Sequence, residues 1–132
     1  MLRTHHIQIV RGSSYSFTRI ARDEKQRAID LTDAEISLSM RADAKVPATV
    51  QLTSIDPAPS GWRTGIVVED QTETLGAYTV TFVPDDTEAL EALGHDDPWI
   101  YDVTIKLASD LVVKDISTSN VDLYPQVGGP AA

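Results

Sequence analysis

Apolar residues alternate with polar ones in three stretches of this chain: Ala34, Ile36, Leu38, Met40; Tyr78, Val80, Phe82; and Trp99, Tyr101, Val103, Ile105, Leu107. A period of two sends successive side chains to opposite faces of an extended backbone, so each stretch predicts a strand of a half-buried sheet. Between the second and third stretches the period breaks, from Pro84 to Gly94. Asp85 stands there as a helix N-cap, Glu88 completes a capping-box pair, and Gly94 suits a left-handed stop. One short helix near residues 85–93 is expected, with Ala89, Leu90 and Leu93 toward the sheet.

Shorter segments fill the remainder. Ile7, Ile9 and Val10 precede a small-residue turn at Gly12, Ser13 and Ser14. Tyr15 and Phe17 then share a face with Arg19 while Ile20 takes the other, which predicts either a bulge near Thr18 and Arg19, the favoured reading, or a strand covered on both sides. Asp23 to Gln26 reads as a hairpin tip, and Leu31, Thr32 and Asp33 as a corner turned by side chains that bond local backbone. Val50 and Leu52, with Ile55 at the end, form a strand stopped by Pro57 and Pro59, whose nitrogens cannot donate to a ladder. Trp62, Ile66, Val67 and Val68 resume the sheet, and a polar connection from Glu69 to Thr74 leads to the Tyr78 strand. After a tip at Ala108 to Asp110, Val112, Val113 and Ile116, then Val121 and Leu123, complete the set. Strands at this spacing, with turn residues between them, predict an all-β immunoglobulin-like sandwich of about seven or eight strands. The domain is expected over residues 1–124, with a Pro- and Gly-rich tail over 125–132.

With 132 residues and no cysteine, the core must hold by packing alone, without disulfides or thiolate metal sites. The formal charge of −9 opposes binding to nucleic acid or an anionic membrane surface, and the acidic residues are dispersed as on a solvated face. No apolar run approaches the roughly 20 residues of a membrane helix. Met1 to His6 lacks the apolar stretch of a signal peptide, which points to synthesis in a cytoplasm.

Reaction chemistry finds little footing. His5 and His6 are neighbours on a strand and face opposite ways, so they do not share one ion, and His95, Asp96 and Asp97 read as a polar loop. Ser13 and Ser14 lack both the nucleophile elbow and the Gly-Lys-Ser/Thr phosphate loop. Asp85, Asp86, Asp96 and Asp97 lack the alternating spacing of a calcium loop. No triad, dyad or metal set can be assembled, so no enzyme activity and no cofactor are expected. Trp99 is in register with core positions, whereas Trp62 is balanced between core and surface.

The order Gly12-Ser13-Ser14-Tyr15-Ser16-Phe17-Thr18, then Ala28-Ile29-Asp30-Leu31-Thr32-Asp33-Ala34-Glu35-Ile36, then Gly76 to Phe82 followed by Asp85 to Leu90, then Tyr101-Asp102-Val103-Thr104-Ile105, carries a resemblance over nearly the whole chain. It is similar to the small immunoglobulin-like structural proteins of tailed bacteriophages, and to the N-terminal domain of baseplate upper proteins. Asp33 stands where that family has a corner glycine, and the loop from Arg41 to Ser60 has its own composition. The resemblance implies a non-enzymatic virion protein, made in the host cytoplasm, acting as an adaptor in a tail, baseplate or neck. It implies other virion proteins as partners and several copies in a symmetric assembly. The expected interface residues are Ile7, Ile9, Trp62, Tyr124 and Val127. A head decoration protein, or a host-glycan-binding module using Trp62 and Tyr124, is the alternative expectation.

Overall fold

The computed structural model describes residues 3–43, 45–90 and 99–124. Nine strands and one helix run in the order β1 (Ile7–Val10), β2 (Tyr15–Ile20), β3 (Glu35–Arg41), β4 (Val50–Thr53), β5 (Arg63–Thr64), β6 (Ile66–Val68), β7 (Ala77–Phe82), α1 (Pro84–Glu88), β8 (Trp99–Lys106) and β9 (Val112–Tyr124) among the described residues. They form a six-stranded sheet, β1-β9-β8-β3-β4-β5, and a three-stranded sheet, β2-β7-β6. This is an immunoglobulin-like sandwich: β2, β7 and β6 take the places of strands B, E and D, and β9, β8, β3, β4 and β5 those of G, F, C, C′ and C″. The first strand, β1, lies parallel to β9 at the edge.

The alternation read from the sequence is the alternation of burial. Ile36, Leu38 and Met40 of β3, Tyr78, Val80 and Phe82 of β7, and Trp99, Tyr101, Val103 and Ile105 of β8 all point into one core. Trp99 is a core residue as expected, 6% exposed. Phe17 of β2 meets Tyr101 of β8 edge to face across the sheets, with ring centroids 6.5 Å apart.

The strand count exceeds the expected seven or eight because the segment from Trp62 to Val68 is two strands. β5 pairs in the larger sheet and β6 in the smaller, and the chain changes sheet at Gly65 between them. A Cβ at Gly65 would lie 3.1 Å from the Thr81 carbonyl oxygen, so the crossing is closed to side chains.

Three local expectations are corrected. No bulge occurs near Thr18 and Arg19: β2 and β7 pair without interruption from Tyr15 with Phe82 to Ile20 with Ala77. Arg19 points inward and Ile20 is 42% exposed, because a charged partner inside the sandwich receives the guanidinium. The irregularities are instead in β9, on both sides of the Val103–Ile116 pair. The helix begins one position before Asp85, with Val83 as N-cap and Pro84 at its first turn. Asp86, not Glu88, reaches back to the N-cap, accepting from the Val83 N–H at 2.9 Å. Proline is favoured at that position because its missing N–H would be unbonded anyway. Leu90 is buried as expected, whereas Ala89 is exposed. Leu93, Gly94 and the tail over 125–132 lie outside the described residues.

The Leu31 corner is built as its chemistry suggests. Asp30 Oδ1 accepts from the Thr32 N–H at 2.9 Å and the Thr32 hydroxyl at 2.7 Å, and Asp33 takes a left-handed φ of 59°. Leu31 is fully buried at the apex. Its N–H donates to Gln71 Oε1 at 2.9 Å, the same oxygen that accepts from Gly76 N–H at 2.8 Å. Gln71 therefore joins this corner to the connection between β6 and β7.

Candidate functional site

Two features stand out on this scaffold: a polar seam inside the sandwich, and a cleft on the outer face of the six-stranded sheet. The seam begins with the bulges of β9. Tyr101 pairs with Ser119, Val103 with Ile116 and Thr104 with Lys114, so Asp115 is an extra residue with no opposite number on β8. A bulge of this kind re-aims a side chain. Asp115 and Ile116 are both buried in consequence, Asp115 to 3% exposure.

The Asp115 carboxylate enters between Arg19 and Tyr78, which are register partners on β2 and β7. Its Oδ2 accepts from Arg19 Nε at 2.9 Å and from the Tyr78 hydroxyl at 2.5 Å, while Oδ1 lies 4.0 Å from Arg3 Nη1. Charge inside a protein requires partners of this quality to offset the loss of hydration. Arg3 also donates to the carbonyl oxygens of Arg22 and Asp23, and its own carbonyl oxygen accepts from the Ser117 N–H at 2.7 Å. The segment before β1 is thereby tied to β9 and to the turn after β2.

His5 lies beside this seam. Its N–H donates to the Ser119 hydroxyl at 2.9 Å, its Nδ1 is 2.9 Å from the Tyr101 hydroxyl, and its ring centroid is 4.9 Å from that of Phe17. Burial, and then the nearby Arg19 cation, lower its pKa from the ordinary 6.5, against a smaller opposite effect of Asp115. The Tyr78 hydroxyl is pushed well above its ordinary value by burial and by the adjacent Asp115 carboxylate, and Tyr101 is raised chiefly by burial. These phenols remain protonated donors. His6 bonds Asp122 at 2.8 Å near the surface, so the two histidines, which precede β1 and are not themselves in a strand, bond different partners.

The seam is saturated: no buried side-chain nitrogen or oxygen among the described residues lacks a hydrogen-bond partner. No group of three or more His, Cys, Asp or Glu side chains able to hold a metal converges among the described residues. No described helix is long and apolar enough to cross a membrane. Ser13 sits in the turn after β1, where its carbonyl oxygen accepts from the buried Thr87 hydroxyl at 2.9 Å and the Gly12 N–H donates to the same hydroxyl at 2.9 Å.

The expected interface residues do not share one surface. Ile7 and Ile9 are 1% and 0% exposed and belong to the core, which corrects their assignment as surface anchors. The alternation of β1 reveals a buried face but not whether the burial is against the chain's own core or a partner. Tyr124, 45% exposed, pairs in register with Val10, 43% exposed, at the far end of β1 and β9. Val127 lies outside the described residues. Trp62 is half-buried on the loop before β5, beside Lys106 and Val112, at the opposite end of β9 from Tyr124.

Around Trp62 the outer face is hollowed into a cleft of about 320 Å³. One side carries Trp62 and Pro59 from the loop between β4 and β5, and Val112 of β9, 61% exposed, also lines it. Ser37 with Thr104, and Glu35 with Lys106, are cross-strand pairs of β3 and β8 that line it as well. The Trp62 indole N–H donates to none of the described residues.

No family model and no curated protein matches the chain.

Proposed function

We propose that this chain is a non-enzymatic structural protein of a tailed-bacteriophage virion, an adaptor in a tail, baseplate or neck assembly. The observation that carries the reading is the edge of the larger sheet. There β1 is paired on one side only among the described residues, and the exposed Val10 and Tyr124 lie together at its end. An open strand edge accepts an extended segment of a neighbour through main-chain hydrogen bonds, and flanking apolar side chains add contact area. Copies arranged by symmetry would use this edge repeatedly.

The left-handed backbone at Asp33 also supports the reading. The resembled family has glycine at that corner, and glycine adopts such a φ without steric cost. Partners are then other virion proteins, and the protein is found on the particle after synthesis in the host cytoplasm.

The test is mass spectrometry of purified particles of the parent phage. The chain is expected in several copies per particle, and Val10→Glu with Tyr124→Glu is expected to reduce its incorporation while leaving the isolated domain folded. Absence of the protein from purified particles would overturn the reading.

A further inference from the structure

We propose that the cleft beside Trp62 is a binding site for a neutral pyranose unit of a glycan. The proposal does not depend on the adaptor reading, since a protein absent from any particle could still bind sugar. A pyranose has a C–H face that packs on aromatic rings and a rim of hydroxyls that need hydrogen-bond partners. Trp62 presents an indole whose N–H is unused among the described residues, and Val112 offers a second apolar surface with 61% exposure. The hydroxyls of Ser37 and Thr104 stand opposite each other on β3 and β8, with Glu35 and Lys106 as the next pair outward on the same face. This is an aromatic surface beside short, paired polar groups on rigid strands, the arrangement that fixes a small polyol.

Size and charge narrow the occupant. A volume of about 320 Å³ is at the small end of ligand clefts, which span roughly 300 to 1,000 Å³, and is too narrow for a helix about 10 Å across. Glu35 makes no ion pair among the described residues, and the Lys106 ammonium already lies 3.7 Å from Asp110 Oδ1. The local charge therefore leans negative within a chain of net charge −9, which disfavours acidic sugars and any anionic partner. Small neutral rings remain, and the Ser37 and Thr104 hydroxyls beside Trp62 favour one that carries hydroxyls.

The experiment uses the full chain, isotope-labelled, titrated with methyl glycosides of glucose, galactose, mannose and N-acetylglucosamine and with their neutral disaccharides. NMR shift changes are expected at the Trp62 indole and at Ser37, Thr104 and Lys106, with the Trp99 indole unmoved. A disaccharide binding more tightly than its methyl glycoside would identify a glycan chain as the source. Trp62→Ala is expected to weaken binding by about two- to tenfold, the loss of one aromatic stacking contact, and Trp62→Phe by less. Ser37→Ala, which leaves the loop and the core untouched, is expected to weaken the same titration and provides the reading if Trp62→Ala unfolds. Absence of shifts at the cleft with every sugar at concentrations on the order of ten millimolar would overturn the proposal. So would shifts that persist in both Trp62→Ala and Ser37→Ala, or a cleft that responds to a proline-rich peptide and to none of the sugars.

Discussion

Replacing Asp115 by alanine tests whether the polar seam is a structural lock. The substitution removes the only described carboxylate facing Arg19 and Tyr78, and leaves the Arg19 side chain, 19% exposed, and the fully buried Tyr78 hydroxyl without their acceptor. Removing one member of a buried ion pair costs about 3–5 kcal/mol, and an orphaned buried hydroxyl alone about 1–3 kcal/mol. These costs overlap, because one oxygen serves both donors. Partial access of water to Arg19 places the sum at the lower end, about 3 kcal/mol. Against a total stability of about 5–15 kcal/mol the variant still folds. With a urea m-value near 2 kcal/mol/M, its midpoint falls by about 1.5 M, read by tryptophan fluorescence with m unchanged. The combination Arg19→Met, Asp115→Leu and Tyr78→Phe removes the carboxylate together with its two hydrogen-bond donors, leaves Arg3 bonded to the Arg22 and Asp23 carbonyl oxygens, and is expected to recover most of the loss. An Asp115→Ala midpoint within experimental error of the parent would refute the reasoning, since it would mean that the carboxylate offsets no burial cost.

Two further outcomes follow from neighbouring residues. The pKa of His5 is lower in the folded chain than the ordinary 6.5, so the unfolded chain binds the proton more readily, and stability is complete above that value. It is lost as pH falls through 6.5 toward the folded pKa, and His5→Asn is expected to flatten that part of a urea-midpoint profile against pH; a profile identical to the parent's would sink the assignment. At Asp33, where φ is 59°, Asp33→Val is expected to cost about 1–2 kcal/mol in chemical denaturation, whereas Asp33→Gly stays within about 1 kcal/mol of the parent. Equal effects of valine and glycine would show that the left-handed backbone is not the constraint.

The strands β3, β7 and β8 were legible because each is regular and has one face in the core, which is the condition under which alternation carries information. β9 was legible only in pieces. Its 13 residues include the bulges beside Ile116, and a bulge shifts the period that pattern reading relies on. The seam was hidden for a different reason: Arg19 and Asp115 are 96 positions apart, and their pairing exists only after the two sheets close. Arg19 on the same face as Tyr15 and Phe17 was the available signal, since a guanidinium on an apolar face implies a carboxylate opposite. The same alternation placed Ile7 and Ile9 together but could not say against what they were buried. Trp62 depends on the path of a proline-containing loop, which no periodicity describes.

The edge-to-face contact of Phe17 with Tyr101 joins β2 to β8, the two strands that antibody domains connect by a disulfide. In this chain two aromatic rings hold that position and no sulfur is present to be oxidised. Reducing and oxidising surroundings therefore present the same folding problem to it. No thiol has to find its partner before the sheets can close, and the unfolded chain is never crosslinked.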